Sequence, residues 1–216
     1  MAVHQVETLF ADYLQNADLS PKQKAVLAAC LHLFSERGFE RTSTAAIAKR
    51  AGVSEGTVYK HFKSKTELLD ALLEPLSASV VPQAASEFID EVDPVRFEHL
   101  DALLRFTIHD RLEFALNNRA MIRVFAQEAF VRSDLLQAGV QTIFSQFAQG
   151  FGVALKQLQA NGELVDWSQL RLLRVIAGNV VGYILPMVML PDGTDSFDLD
   201  MATDELVESL LKILTP

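Results

Sequence analysis

Four residues, Ala51-Gly52-Val53-Ser54, join two short stretches of helical periodicity, and this junction restricts the fold more than any other feature of the chain. Gly52 tolerates the positive φ that stops the helix before it. Ser54 is a helix N-cap that starts the next one. Two helices are therefore predicted to lie about three residues apart, from Thr44 through Ala51 and from Ser54 to about Phe62. Helices that close must cross, and Ala48 and Ala51 supply small residues at the crossing. Val53 plugs the turn, and Val58 and Phe62 face a core at i and i+4. This is a helix-turn-helix in sequence form.

The outer face of the second helix is then Ser54, Glu55, Gly56, Thr57, Tyr59, Lys60 and His61. Hydroxyls, a phenol and backbone amides at a helix start suit phosphate oxygens. Lys60 suits guanine edges and Glu55 the cytosine amino group of a major groove. Gly56 lets the backbone approach closely, at a cost of about 1 kcal/mol against alanine inside a helix. Lys65, early in the following helix, is placed to pair with phosphate.

Charge supports this reading only when it is resolved along the chain. The net charge is −9. Residues 20–66 nevertheless hold nine Lys or Arg against three acids, a local charge of +6. A basic block beside an acidic one is the layout of a nucleic-acid-binding head on a body that avoids phosphate.

The rest of the chain also reads as helix, giving an all-α fold with no convincing strand or repeat. Ser20-Pro21 opens a helix that Gly38 stops, with Val26, Ala29, Cys30, Leu33 and Phe34 on one face. Thr42, Ser43 and Thr44 offer caps for the next. Ser64 caps another, with Glu67 as the partner in a capping box. Pro82 and Asp93-Pro94 mark boundaries. Long helical patterns follow over about 94–117, 119–131, 134–160, 168–189 and 199–214. The expected domains are an extension over 1–19, a three-helix head over 20–66, and a larger helical ligand-binding and dimerisation domain over 67–216. The extension, helical over about 3–15, reads either as an extra helix on the head or as a frayed arm.

At this point the chain resembles a family. Gly38-Phe39-Glu40-Arg41-Thr42-Ser43, Ile47-Ala48, Ala51-Gly52-Val53-Ser54, Gly56-Thr57-Val58-Tyr59, His61-Phe62 and Ser64-Lys65 are similar to the signature of tetracycline-repressor-type (TetR family) regulators. The match covers about residues 22–73. The resemblance implies an all-helical homodimer whose last two long helices form a four-helix bundle. It implies DNA contacts at Ser43, Ser54, Glu55, Gly56, Thr57, Tyr59, Lys60, His61 and Lys65. Ala45 and Ala46 depart from the polar residues usual in relatives, which leaves base reading to the second helix.

In the body, residues 168–189 are apolar nearly all round. Such a helix must be buried on every face, by its own core and by a partner. Ala177, Gly178 and Gly182 allow close approach, and 199–214 adds a second apolar face. Both segments are expected to pair with a second copy. Abundant phenylalanines suggest a cavity for an apolar or amphipathic effector, with Phe106, His109, Glu113, Asn117, Phe125, Gln127, Phe147 and Tyr183 as candidate lining residues.

The expected function is a cytoplasmic repressor released from a palindromic operator on double-stranded DNA by that effector. An activator or a constitutive DNA binder of the same fold is the alternative. No metal spacing, phosphate loop or nucleophile turn points to an enzyme, a metal or a cofactor. The single cysteine, Cys30, sits on an apolar helix face and reads as packing. No signal peptide is read in residues 1–8. The apolar stretch Val175–Leu190 is short for a membrane span.

Overall fold

The computed structural model describes residues 5–91, 97–129, 132–190 and 197–216. Eleven α-helices occur among them. They are α1 (Val6–Asn16), α2 (Pro21–Arg37), α3 (Thr44–Ala51), α4 (Glu55–His61), α5 (Lys65–Pro75), α6 (Val81–Glu91), α7 (Leu100–Asn117), α8 (Arg119–Ala129), α9 (Ser133–Ala160), α10 (Gln169–Met189) and α11 (Leu199–Leu214). A π-helical turn, Leu76–Val80, lies between α5 and α6. The described residues contain no strand. The described residues divide into two compact units, one drawn from 5–84 and 120–139, the other from 85–119 and 140–216.

The first unit is built on helix starts that the sequence specifies chemically. Ser20, Ser43, Ser54 and Ser64 are each an N-cap whose hydroxyl accepts a backbone N–H of the first turn. Ser20 and Gln23 form a full capping box. At α5 the box is shifted, because Glu67 accepts from Lys63 N at 2.6 Å and not from the cap residue. Val26, Phe34, Ile47, Val58, Leu68 and Leu72 are fully buried between α2, α3, α4 and α5. Cys30 is equally buried, and burial pushes its thiol up to about 12, which keeps it a protonated packing group. α1 is a packed helix and not a frayed arm. It buries Val6, Leu9, Phe10 and Leu14 and lies against α2 and the π turn. Lys24 Nζ donates to Gln15 O at 2.9 Å to close its end. Arg132 pairs with Asp70 of α5.

Pro82 marks an element boundary, next to the start of α6 at Val81. It stands at the second residue of α6, where a proline removes only one donor. The widened π turn precedes it, so its ring has room beside the carbonyl four residues back. The irregularity starts instead at Pro75, inside the end of α5.

The second unit packs α7 against α11 and α10 against both. α7 starts at Leu100 and not near 94. Residues 97–99 are not helical, and 92–96 lie outside the described residues. Glu163 fixes this start, accepting from Leu100 N at 2.9 Å and from His99 Nδ1 at 2.7 Å. Phe88 is the centre of a ring cluster, with Phe106, Phe147 and Phe151 at 6.0, 5.8 and 5.9 Å between centroids. The Arg111 guanidinium lies 3.8 Å from the Phe88 centroid. Arg119 donates to Met187 O and Leu190 O, closing the C-terminal end of α10.

α10 has two faces. Leu172, Leu173, Val180, Met187 and Val188 are buried. Leu170, Val181 and Leu185 are exposed, and Gly178 and Gly182 have open space beside them. By length and composition alone α10 is the one described helix that could cross a bilayer.

Candidate nucleic-acid interface

Gly52 makes the turn in the left-handed region, at φ 67° and ψ 29°. Its N–H caps α3, and Val53 N reaches back to Ala48 O at 3.0 Å. This 6→1 bond with an αL residue before it is a Schellman closure, which sets where α4 leaves. α4 then buries Val58 and, just beyond its end, Phe62. The rest of its surface is polar and open.

Ser54, Glu55, Gly56, Tyr59 and Lys60 are exposed, and Thr57 and His61 are half-buried. Tyr59 keeps 48% of its surface open, high for an aromatic residue. Ser54 Oγ accepts from Thr57 N at 3.2 Å and lies 2.9 Å from Thr57 Oγ1. A Cβ at Gly56 would meet only Ser54 Oγ, at 3.9 Å. The fold itself therefore does not require a glycine there, and the space it leaves faces outward. Ser43 caps α3 through Ala46 N at 3.2 Å. Ala45 is an exposed methyl beside it, so α3 presents little polar chemistry of its own. Lys65 stands at the start of α5, 4.2 Å from the Phe39 centroid and 3.2 Å from Glu40 O. That carbonyl uses one of the three ammonium donors, leaving two for phosphate.

Three side chains act here beyond the predicted set. Of the three cap candidates, Ser43 is the cap and Thr44 is the first residue of α3. Its Oγ1 donates to Glu55 Oε1 at 2.6 Å and lies 3.1 Å from Tyr59 Oη. Thr42 is 2% exposed, and its hydroxyl bonds Gly38 O at 2.8 Å, tying the loop to the end of α2. Arg41 Nε donates to Arg37 O at 2.9 Å at the same helix end. The Thr42 and Arg41 bonds reach back four residues, whereas those of Thr44 span 11 and 15 residues, with no fixed spacing to reveal them.

Residues 26–72 match the family described as bacterial regulatory proteins, tetR family. The nucleoid occlusion factor SlmA of Pasteurella multocida is 30% identical over 166 residues, covering 76% of this chain and 78% of that protein. This chain belongs to the tetR family of bacterial regulatory proteins. The SlmA protein of Haemophilus influenzae is 31% identical over 140 residues, which span 64% of this chain and 62% of its own length. A solved tetR-type fold, the transcriptional regulator FadR of Bacillus subtilis in complex with stearoyl-CoA, superposes with a TM-score of 0.59 at 18% identity, over 87% of this chain and 96% of that one. The tetR-family assignment makes α3 and α4 the helix-turn-helix of a DNA-binding transcription regulator.

The eight residues expected to line an effector cavity are scattered. Phe106 stacks on Phe88 and Phe147 packs against it at a tilt, both beside the core of the second unit. Tyr183 Oη donates to Glu205 at 2.9 Å. His109 faces Asp200 at 3.6 Å. With Arg105, Phe106, Thr203 and Asp204 it lines an open groove of about 420 Å³ between α7 and α11. Glu113 and Asn117 lie further along α7, Asn117 at its last residue. Phe125 and Gln127 lie on α8 in the other unit. Among the described residues no group of three or more His, Cys, Asp or Glu side chains is arranged to hold a metal ion.

Proposed function

We propose that the chain is a cytoplasmic transcriptional repressor that binds a palindromic operator as a homodimer and is released by an apolar or amphipathic effector. The observation that carries the DNA contact is the outward face of α4, where Ser54, Glu55, Gly56, Thr57, Tyr59, Lys60 and His61 lie together, with Ser43 and Lys65 beside it. Its N-terminal residues are those that meet base edges in a helix-turn-helix, and its flanks are basic.

The homodimer is supported by α10. Leu170, Val181 and Leu185 are exposed apolar residues on one face of α10, which also carries the exposed Arg174 and, at Gly178 and Gly182, open space that permits close helix approach. A two-fold copy would cover this face and direct two α4 helices at the two half-sites of a palindrome. The effector reading is supported by the acyl-CoA held by a protein of the same fold, FadR, and by the phenylalanine-rich second unit. The candidate contacts within the second unit are Phe106, His109, Glu113, Asn117, Phe147 and Tyr183.

The test is fluorescence anisotropy on palindromes from the protein's own upstream region, run across salt and with added long-chain acyl-CoA. Release of several counterions should make log Kd steeply salt-dependent. Added acyl-CoA should weaken binding. Salt-independent binding would count against the phosphate contacts, and unchanged affinity with every body-binding ligand would count against release.

A second reading is favoured by one observation. Identity to the nucleoid occlusion factors extends over 166 residues, well beyond the helix-turn-helix. On that reading the chain is a DNA-binding nucleoid occlusion factor, not a regulator of a few promoters. Chromatin immunoprecipitation separates the two: a few promoter peaks support the regulator, and sites dispersed over the chromosome support occlusion.

A further inference from the structure

Thr44 of α3 meets Glu55 and Tyr59 of the next helix, α4, through one hydroxyl. The direction of each bond follows from proton counting. Thr44 Oγ1 has a single hydrogen, and that hydrogen goes to Glu55 Oε1 at 2.6 Å. Tyr59 Oη, 3.1 Å from the same oxygen, must then be the donor of the second bond. The relay runs from the Tyr59 hydroxyl to Thr44 to the Glu55 carboxylate.

The relay has two consequences at the surface. The Tyr59 proton is committed inward, so its outward lone pair only accepts. Glu55 is fixed at its Oε1, and its Oε2 has no partner among the described residues. From these two residues α4 therefore presents acceptors and no side-chain donor. In the major groove only cytosine N4 and adenine N6 offer an amino donor. Adenine carries its N7 acceptor beside that amino group, which a carboxylate repels, and guanine and thymine present acceptors at the same depth. Cytosine carries only a C–H beside its amino group.

We infer that Thr44 is a positioning residue that holds the Glu55 carboxylate as a cytosine reader, so that one position of each operator half-site is restricted to a C·G pair. This rests on the DNA-binding reading above. Glu55 also contributes by repulsion, since an unmatched carboxylate beside phosphates and acceptor edges penalises other sequences. An ordinary surface glutamate would swing clear of the duplex. One held by a 2.6 Å bond has less freedom to do so.

The experiment selects duplexes from a random pool with the wild-type protein. It then titrates the selected duplex, and each single-pair variant of it, by fluorescence anisotropy. Wild type, Glu55→Gln, Thr44→Val and Thr44→Ser are compared, with circular dichroism as the folding control. Wild type should lose about tenfold in affinity when one cytosine is replaced, the discrimination of a single good base contact. Glu55→Gln, whose amide both donates and accepts, should accept adenine there. Thr44→Val keeps the shape and removes the hydroxyl. Its preference should fall to about twofold while low-salt binding to random duplex stays unchanged, and Thr44→Ser should restore the wild-type profile. A Thr44→Val profile identical to wild type, or a wild-type profile with no cytosine position, overturns this inference while leaving DNA binding intact. A wild-type protein that binds no duplex overturns both.

Discussion

Gly56→Ala should move stability and DNA binding in opposite directions. Gly56 is the second residue of α4, and a methyl there meets only Ser54 Oγ at 3.9 Å, ordinary contact. Nothing in the fold opposes the substitution. Alanine is favoured over glycine in a helix by about 0.5 to 1 kcal/mol, and the first turn takes the lower end of that range. For a chain of 216 residues, about 0.5 kcal/mol raises the melting temperature by about 1 to 2 °C. The outward side differs. If the duplex backbone packs against Gly56, a methyl inserted into that contact costs about 1 to 3 kcal/mol, as overpacking does in a core. At 1.4 kcal/mol for each tenfold, operator affinity falls about five- to 150-fold. Thermal unfolding by circular dichroism and anisotropy titration on one preparation read both effects. Unchanged affinity would refute close DNA approach at Gly56. A lowered melting temperature would refute the open space that the geometry describes.

Other expectations follow from the second unit. Val181→Glu on the exposed face of α10 should convert a dimer to a monomer in light scattering and weaken palindrome binding, with helicity unchanged, because Val181 is 53% exposed in a single copy. Phe88→Ala removes the ring at the centre of the phenylalanine cluster and should lower the unfolding free energy in urea by about 3 to 5 kcal/mol. The His99–Glu163 latch should show a pH window. Its hydrogen bond to Glu163 raises His99 above the ordinary 6.5, so that contribution is complete below 6.5 and is lost as pH rises through the raised value. The Leu100 N–H, then His99, lowers Glu163 below the ordinary 4.5, so that contribution is complete above 4.5 and is lost as pH falls through the lowered value. The latch is therefore strongest between about 4.5 and 6.5. Titration of the His99 ring by NMR should return toward its ordinary value in Glu163→Gln, and an unmoved titration would contradict the latch.

The sequence exposed whatever depends on local chemistry. Ser54 and Gly52 marked the ends of α4 and α3 because caps and αL turns are properties of single residues. α10 could be read as two-faced because an apolar residue stands wherever a helical period requires one, on either side. What failed to show was contact between distant positions. Nothing in the spacing of Thr44, Glu55 and Tyr59 announces a shared hydroxyl, and Lys65 meets Glu40 O across 25 residues. The π turn escaped because its cause is distributed between Pro75 and Pro82. The phenylalanines gave the opposite difficulty. Phe106 and Phe147 carry the composition of a cavity lining, yet both pack against Phe88, and composition does not distinguish a filled core from an open one.

The serine caps have a consequence for how the reading surface comes into being. α3 and α4 have eight and seven residues, well below the length at which a helix persists alone in water. Ser43 and Ser54 specify where each begins, but they do not hold it together. That depends on Ile47 and Val58 reaching the core made by α2 and α5. The surface that meets DNA thus has no existence before the core does. Contacts among α2 to α5 are close in sequence, which favours rapid, concerted formation. A nascent or partly melted chain would offer the duplex no weakened version of α4, and its capacity to search the chromosome should appear and vanish in a single step.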